Sequence, residues 1–261
     1  MIRLIDSHAH YDDNKFKEGF ECGADAALKL SHDAGVEAVI NVATNPDNAK
    51  TTIALAEKYE NVYAALGIHP SDCQEMTGDA DGILKGVEKS LSHPKVVAIG
   101  EIGLDYYWEP YDKERQKYFF ERQLEMARRL DLPVIIHCRN AIGDAVETVR
   151  KYEGVRGVFH AYSGSAETVR ELIPLGWYFS FGGALTYKNA HKVREAAAAV
   201  PHDRILIETD CPYLPPVPHR GEINYSAYML NTLAVMAETL GIGEEECAKL
   251  TFENTKRLFG I

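Results

Sequence analysis

The sequence lacks any long uncharged apolar run and any excess of positive charge. No stretch approaches the ~18 uncharged apolar residues that a membrane-spanning helix requires. The chain has 28 lysines and arginines against 39 aspartates and glutamates, which gives a formal net charge of −11 at pH 7. This balance argues against broad, charge-driven adhesion to nucleic acid or to anionic membranes. A polyanionic substrate would have to be bound locally, by metal ions or by a few placed cations.

The sequence also lacks the signals of export, of a disulfide framework and of structural zinc. Its first residues go straight into a strand-like run, without a basic stretch followed by an apolar region and a cleavage site, so we expect a cytoplasmic protein. The five cysteines are an odd number and form no C-x-x-C pair, so we expect reduced thiols. They are Cys22, Cys73, Cys138, Cys211 and Cys247.

Strand-like and helix-like segments alternate along the chain. Apolar, β-branched runs predict eight strands, at 4–10, 36–44, 62–70, 96–105, 133–139, 157–163, 177–183 and 205–214. Amphipathic segments predict helices near 21–34, 47–59, 80–92, 112–130, 141–152, 165–175, 189–199, 226–240 and 244–258. No linker or low-complexity tract interrupts this alternation. We therefore predict a single domain over residues 1–261, an α/β fold in which a closed (β/α)8 TIM barrel carries an extra C-terminal helix.

An open, doubly wound sheet is the alternative architecture for such an alternation. Its dinucleotide-binding signature, G-x-G-x-x-G, is absent after the first predicted strand. The barrel is therefore favoured.

Ligand-type side chains stand near the carboxyl ends of six predicted strands. His8 and His10 are two residues apart, and alternate residues of a strand share a face, so both imidazoles can converge on one point. In a barrel, all carboxyl strand ends meet at the face where active sites lie. Burying several acids and imidazoles together is costly without a cation, so the set predicts a divalent metal site. The set is His8, His10, His69, Glu101, His137, His160 and Asp210.

Seven motifs, in order and across almost the whole chain, resemble those of the TatD family of metal-dependent deoxyribonucleases, which are amidohydrolase-like TIM barrels. They read D-S-H-A-H, G-I-H-P, G-E-I-G-L-D-Y, I-I-H-C-R, F-H-A-Y-S-G, T-D-C-P-Y-L and P-V-P-H-R-G. The resemblance implies two divalent ions, with magnesium first, while histidine-rich ligation keeps manganese and zinc open. The implied ligands are His8, His10 and Asp210 for one ion, His137 and His160 for the other, and Glu101 for both.

Such a site would hydrolyse a phosphodiester, because two ions activate water and neutralise phosphoryl charge. We expect Asp210 to act both as a ligand and as the base for the attacking water, with Glu101 as the second catalytic residue. Side chains that can donate hydrogen bonds to a phosphate, and aromatic rings on which a base can stack, are candidates for substrate binding near the site. They are His69, Arg139, His219, Arg220, Tyr106 and Trp108.

The expected partner is nucleic acid, at DNA ends, with an exonuclease as the favoured activity and with no membrane and no obligate protein partner. A hydrolase of another ester or amide stays open, because one barrel hosts many chemistries, and D-aminoacyl-tRNA is one such substrate. A non-catalytic adaptor is disfavoured, since buried acids and imidazoles without a use cost stability.

Overall fold

The strands of the protein form one parallel sheet in which sequence neighbours are also spatial neighbours. The computed structural model describes residues 2–21 and 23–261, and the sheet runs from β1 to β8 in chain order. The strands are β1 (Leu4–Ala9), β2 (Val36–Val42), β3 (Val62–Ala65), β4 (Val96–Asp105), β5 (Val134–Arg139), β6 (Gly157–Phe159), β7 (Tyr178–Phe181) and β8 (Ile205–Ile207). This arrangement confirms the predicted TIM barrel.

Helices lie between consecutive strands, and two of them follow the last strand. They are α1 (Asn14–Gly19), α2 (Gly23–Asp33), α3 (Pro46–Lys58), α4 (Pro70–Glu75), α5 (Ala80–Glu88), α6 (Lys113–Leu130), α7 (Ile142–Arg150), α8 (Ala166–Leu172), α9 (His191–Ala199), α10 (Met229–Leu240) and α11 (Glu244–Phe259). Helix α10 completes the eighth unit, so α11 is the extra C-terminal helix that the sequence predicts.

The barrel closes where β1 meets the segment that follows β8. The backbone N–H of Asp210 donates to the carbonyl of His8 at 3.0 Å, and the N–H of His10 donates to the carbonyl of Cys211 at 2.8 Å. The buried carboxylate of Asp6 accepts from the backbone N–H of Thr209 at 3.0 Å and from the Thr209 hydroxyl at 2.6 Å. These bonds hold the two ends of the sheet together directly beside the predicted site.

Apolar side chains fill the barrel below that site. Ile135, Val158 and Leu206 belong to one buried cluster together with Leu258 and Phe259 of α11. Each of these three strand residues precedes a polar residue by two positions, so the period of a strand places the apolar residue and the polar residue on one face. The lumen is therefore a packed core toward α11 and polar toward the carboxyl strand ends.

Three strands end at least four residues earlier than the sequence predicts. β3 ends at Ala65, β6 at Phe159 and β8 at Ile207, whereas the apolar patterns continue to 70, 163 and 214. The residues beyond these ends leave the ladder; Ala161 and Asp210, for example, have φ angles of 41° and 58°, which a strand cannot accommodate. The predicted strand ends were wrong for this reason.

Two short helices, α1 and α4, are absent from the sequence prediction. Both begin with a side-chain cap: the Asp13 carboxylate accepts from the N–H of Lys15, and the His69 ring accepts from the N–H of Ser71. Pro70 occupies the first turn of α4, where its missing N–H costs nothing. Pro70 was the available signal for the start of α4, whereas the apolar pattern predicts that the strand continues to this residue.

Four of the five cysteines lie within the described residues, and these four form no disulfide with one another. Cys22 lies outside the described residues. Among the helices described, none is both long and apolar enough to cross a membrane.

The contact between β5 and β6 offers a test of the packing. A Cβ added at Gly157 would lie 2.4 Å from the Val134 carbonyl oxygen and 2.9 Å from Cζ3 of Trp177. We expect Gly157→Ala to lower the free energy of unfolding by about 1–3 kcal/mol, because backbone and ring must both move. The exposed Gly86 in α5 has open space around it, so Gly86→Ala is the control and should stabilise by about 0.5–1 kcal/mol. Urea denaturation measures both; an unchanged midpoint for Gly157→Ala would contradict the packing.

Candidate metal centre

The centre of the site is the carboxylate of Glu101, which lies within β4 and is 3% exposed. The adjoining strand β5 comes unusually close, because Gly103 pairs with His137 in the ladder. A Cβ at Gly103 would lie 2.0 Å from the carbonyl oxygen of His137, and the φ of this glycine is 139°. Only glycine fits at this position. Because Gly103 has no side chain, β5 can approach β4 closely enough to place His137 beside Glu101.

The two oxygens of Glu101 face two different groups of histidines. Oε1 lies 2.7 Å from Nε2 of His160 and 2.8 Å from Nδ1 of His137. Oε2 lies 3.5 Å from Nε2 of His8 and 3.7 Å from Nε2 of His10. This division corresponds to the two ligand sets that the family resemblance implies, with Glu101 between them.

Asp210 joins the group that contains His8 and His10. Its Oδ1 lies 3.5 Å from Nε2 of His10 and 3.8 Å from Nε2 of His8. The left-handed backbone of Asp210 turns the chain out of the β8 direction at this point. Six predicted ligands, from β1, β4, β5 and the segments after β1, β6 and β8, are thus gathered around one point.

His8 and His160 stack on each other beneath this point. Their ring centroids are 3.9 Å apart with an interplanar angle of 8°. Both Nε2 atoms face Glu101, while both Nδ1 atoms are buried and have no hydrogen-bond partner among the described residues. Like-charged imidazolium rings repel in such a stack, whereas neutral imidazoles that share their Nε2 lone pairs with cations do not. The donor set therefore fits divalent ions.

A buried carboxylate that the sequence analysis missed lies on the other side of this stack. Oε1 of Glu208 is 3.6 Å from Nδ1 of His160 and accepts from the backbone N–H of Ala161 at 2.8 Å, and the Ser180 hydroxyl donates to Oε2. Glu208 precedes Asp210 by two residues, and the strand period could have identified it. Its carboxylate lies behind His160 at a distance longer than a hydrogen bond, and His8, His160 and Glu208 together form one of the clusters that could hold a metal ion.

Two further histidines show opposite hydrogen-bonding roles. Nδ1 of His10 lies 2.7 Å from the carbonyl oxygen of Val42, which only accepts, so Nδ1 carries a hydrogen and the lone pair of the neutral ring is on Nε2. Nδ1 of His69 instead accepts from the backbone N–H of Ser71 at 3.1 Å, so the hydrogen of the neutral ring is on Nε2. His10 can therefore ligate a metal through Nε2, whereas His69 presents a donor to the site.

Burial and mutual charge set the pKa values of these groups. Burial alone would raise the pKa of Glu101, but the histidines around it outweigh burial and hold the pKa well below its ordinary value. Burial opposes protonation of His10, yet Asp210 and Glu101 raise its pKa to about 9. Burial and the neighbouring His137 lower the pKa of His69 to about 3, so this ring is neutral. Without cations, protons must balance the carboxylates.

A cavity of about 590 Å³ opens above these residues. Of the substrate-binding candidates, His69, Arg139 and Trp108 line it. Trp108 is 59% exposed, and the Arg139 guanidinium lies 3.7 Å from the ring centroid of Tyr107 and 5.3 Å from that of Trp108. The rim thus combines a cation with two aromatic faces. Tyr107 is not among the predicted substrate-binding residues, although it stands between two of them in the same aromatic loop.

The other three candidates do not line this cavity. Tyr106 turns away toward α7, where its hydroxyl donates to Asp144 at 2.8 Å. His219 stacks on Tyr228 at 3.7 Å, and the Arg220 guanidinium lies 3.9 Å above the ring of Tyr187. The loop conformation after each strand, which the sequence pattern does not specify, decides which side chains reach the site.

Comparisons with known proteins agree with this geometry. The sequence model of the TatD related DNase family matches residues 5–260. The metal-dependent hydrolase YabD of Bacillus subtilis (strain 168) is 40% identical over 261 residues, and 99% of each chain is covered. The metal-dependent hydrolase YcfH of Escherichia coli (strain K12) is 36% identical over 260 residues, covering 99% of this chain and 96% of YcfH.

A solved structure shows the same similarity in three dimensions. The crystal structure of YjjV, a TatD homologue from Escherichia coli K12, has a TM-score of 0.91 and 33% sequence identity, covering 100% of this chain and 99% of that one. The sequence matches extend over nearly the whole chain, and the histidine and carboxylate clusters can bind metal ions. The chain therefore belongs to the TatD family and is a metal-dependent hydrolase.

Proposed function

We propose that the protein is a deoxyribonuclease that removes nucleotides from DNA ends. The observation that carries this proposal is the division of the histidines by the two oxygens of Glu101, at the floor of a cavity whose rim bears Arg139 and Trp108. A phosphodiester needs both parts: a polycationic centre for the reacting phosphate and a surface for the attached base. The family description, TatD related DNase, supports the same substrate class.

Two divalent ions per chain are the proposed cofactors. The residues that would hold them are His8, His10 and Asp210 on one side, His137 and His160 on the other, and Glu101 between. When bound, such a pair lowers the pKa of a water molecule and neutralises charge on the phosphoryl oxygens. Magnesium is the first candidate by family resemblance, while four imidazole donors also suit manganese or zinc.

The base in this proposal is Asp210. Burial would raise the pKa of its carboxylate, but the hydrogen bond with His10 and the charge of His8 hold the pKa below its ordinary value. The group is therefore ionised at neutral pH and can accept a proton from the attacking water. The carboxylate lines the cavity, so it is within reach of the substrate.

His69 and Arg139 hold the phosphate in this proposal. The neutral His69 ring offers its Nε2–H to the cavity, and the guanidinium of Arg139 offers a planar pair of donors that matches two phosphate oxygens. The exposed face of Trp108 then receives a base. Since the chain as a whole is acidic, these local contacts supply most of the attraction for a polyanion.

Activity is tested with metal-loaded protein and end-labelled single-stranded and duplex DNA. We expect shortening from an end, and Asp210→Asn should slow it by about 10²–10⁴-fold, because ligand and base are lost together. Asp33→Asn, in the exposed ion pair with Lys29, is the control and should match the wild type. Intact DNA with the wild type, or equal cleavage by Asp210→Asn, refutes the nuclease.

D-aminoacyl-tRNA serves as the second substrate, and its cleavage in place of DNA would support the alternative hydrolase.

Metal binding is expected to release protons. The pKa of His10 is raised to about 9 and the pKa of His160 is raised well above its ordinary value, so these two rings are protonated in the metal-free protein at neutral pH, and the pKa of His137 is raised in the same direction. An ion must displace those protons, so apparent affinity should rise with pH, by about tenfold per pH unit for each displaced proton. Calorimetry of chelator-stripped protein in buffers of different ionisation enthalpy counts the protons. A pH-independent affinity between about pH 6 and about pH 8 would be inconsistent with this expectation.

Base stacking is expected on Trp108 and not on Tyr106. Replacing the exposed indole in Trp108→Ala should weaken binding of single-stranded DNA by about 5- to 150-fold, the equivalent of one stacked base. Tyr106→Phe should have no effect, because its ring does not line the cavity. Fluorescence anisotropy of dye-labelled DNA compares the affinities of the two variants, and, because Trp177, the other tryptophan, is buried, quenching of exposed-indole fluorescence in the wild type reports stacking on Trp108. Equal affinities for the two variants would remove Trp108 from the substrate site.

A further inference from the structure

We propose that Asp105 is a positioning residue, which fixes the tautomer of His137 and joins the metal centre to the aromatic rim. The proposal rests on the metal centre of the proposed function, although not on its DNA substrate. Asp105 is the last residue of β4, is 2% exposed, and follows Glu101 by four positions. Neither the family resemblance nor the predicted ligand set gives it a role.

The ring of His137 is held between two carboxylates. Its Nδ1 lies 2.8 Å from Oε1 of Glu101, and its Nε2 lies 2.9 Å from Oδ2 of Asp105. Both carboxylates only accept, so the nitrogen that faces each of them must present either a hydrogen or a bound cation. With a cation on the Glu101 side, Nδ1 would offer it the lone pair of the neutral ring, and the hydrogen would stay on Nε2, where Asp105 accepts it. A hydrogen-bonded carboxylate behind a metal-binding histidine also makes that histidine a more basic ligand.

Asp105 itself does not belong to the ligand set. The clusters of mutually close donors among the described residues contain Glu101 with His8 and His10, Glu101 with His69 and His137, and Glu208 with His8 and His160. Asp105 is in none of them, because it lies on the far side of the His137 ring. It therefore acts on the metal through His137.

Hydrogen bonds hold both the carboxylate and the backbone of Asp105 in place. Its Oδ1 accepts from the backbone N–H of Tyr107 at 2.8 Å. The side-chain amide of Gln116, fully buried on α6, accepts from the backbone N–H of Asp105 and donates to its carbonyl, both at 2.8 Å. The last residue of β4 is therefore fixed by α6 from behind and by its own loop from the front.

These bonds connect the metal centre to the rim that faces the substrate. The backbone of Tyr107 is held by one oxygen of Asp105, while the other oxygen holds His137. The Tyr107 ring lies under Arg139, which pairs with Asp105 in the β4–β5 ladder, and touches Trp108 edge-on at 4.8 Å between centroids. The carboxylate of Asp105 thus fixes both the orientation of the His137 ring and the backbone of Tyr107, at which the aromatic rim begins.

The test is Asp105→Asn, which keeps the size of the side chain. Its single oxygen can accept from Tyr107, but its amide then donates toward His137, so the ring hydrogen must move to Nδ1 and block the metal-facing lone pair. We expect the affinity of one of two metal sites to fall by about 10- to 100-fold while the other is unchanged, as measured by equilibrium dialysis with manganese and with zinc. Asp144→Asn, which removes the carboxylate that Tyr106 contacts, is the matched control and should bind metal normally.

A second measurement keeps the proposal testable if Asp105→Asn does not fold. In wild-type protein loaded with zinc, ¹⁵N-NMR of the histidine rings should show His137 protonated at Nε2 and bound to metal through Nδ1. His137 protonated at Nδ1, or normal metal affinity at both sites in a folded Asp105→Asn variant, would overturn the proposal. Neither readout involves DNA, so a protein that passes both tests but leaves DNA intact would refute only the proposed nuclease.

Discussion

The buried carboxylate of Glu101 is the constraint on which the rest of the site depends. Removing such a charge from water costs on the order of several kcal/mol unless opposite charge and hydrogen bonds compensate. At Glu101, histidines on both sides supply that compensation. On one side, Oε1 lies 2.7 Å from Nε2 of His160 and 2.8 Å from Nδ1 of His137. Protons can serve this role in the absence of metal, which is why the pKa values of His137 and His160 are raised. Divalent ions provide the same positive charge at fixed points, and metal binding is therefore an exchange of cations for protons.

The barrel keeps this charged cluster in place because the strand period separates chemistry from packing. On β5, β6 and β8, an apolar lumen residue precedes the polar one by two positions: Ile135 before His137, Val158 before His160, and Leu206 before Glu208. The lower layer packs against Leu258 and Phe259 of α11, so its cohesion does not depend on the metal ligands. The polar layer can therefore contain groups that would destabilise an ordinary core, since the layer beneath it is apolar and buried.

The sequence was sufficient to predict the eight βα units and the meeting of the six candidate ligands, because both follow from strand period and from the meeting of carboxyl strand ends. It was insufficient for the strand ends, since β8 has only three residues although its apolar pattern continues to Leu214. It was also insufficient for the direction of the loop side chains. Tyr106 and Trp108 stand two residues apart, yet one contacts Asp144 and the other lines the cavity. That difference arises from the turn after Asp105, whose hydrogen bond to Tyr107 depends on tertiary contacts with α6.

The histidines of the candidate metal centre differ in hydrogen-bonding role. The difference comes from the group that contacts the ring nitrogen that points away from Glu101. A carbonyl behind His10 and a carboxylate behind His137 each accept a hydrogen, so the opposite nitrogen of each ring is free to bind a cation. A backbone N–H behind His69 donates instead, and the opposite nitrogen of that ring becomes a donor. Residue type therefore identifies candidates for a metal site, while the group behind each ring shows which ring nitrogen carries a hydrogen and which can offer a lone pair. Nε2 of His69 lies 3.6 Å from Oε1 of Glu101, so this neutral ring places a hydrogen-bond donor beside the centre without adding charge.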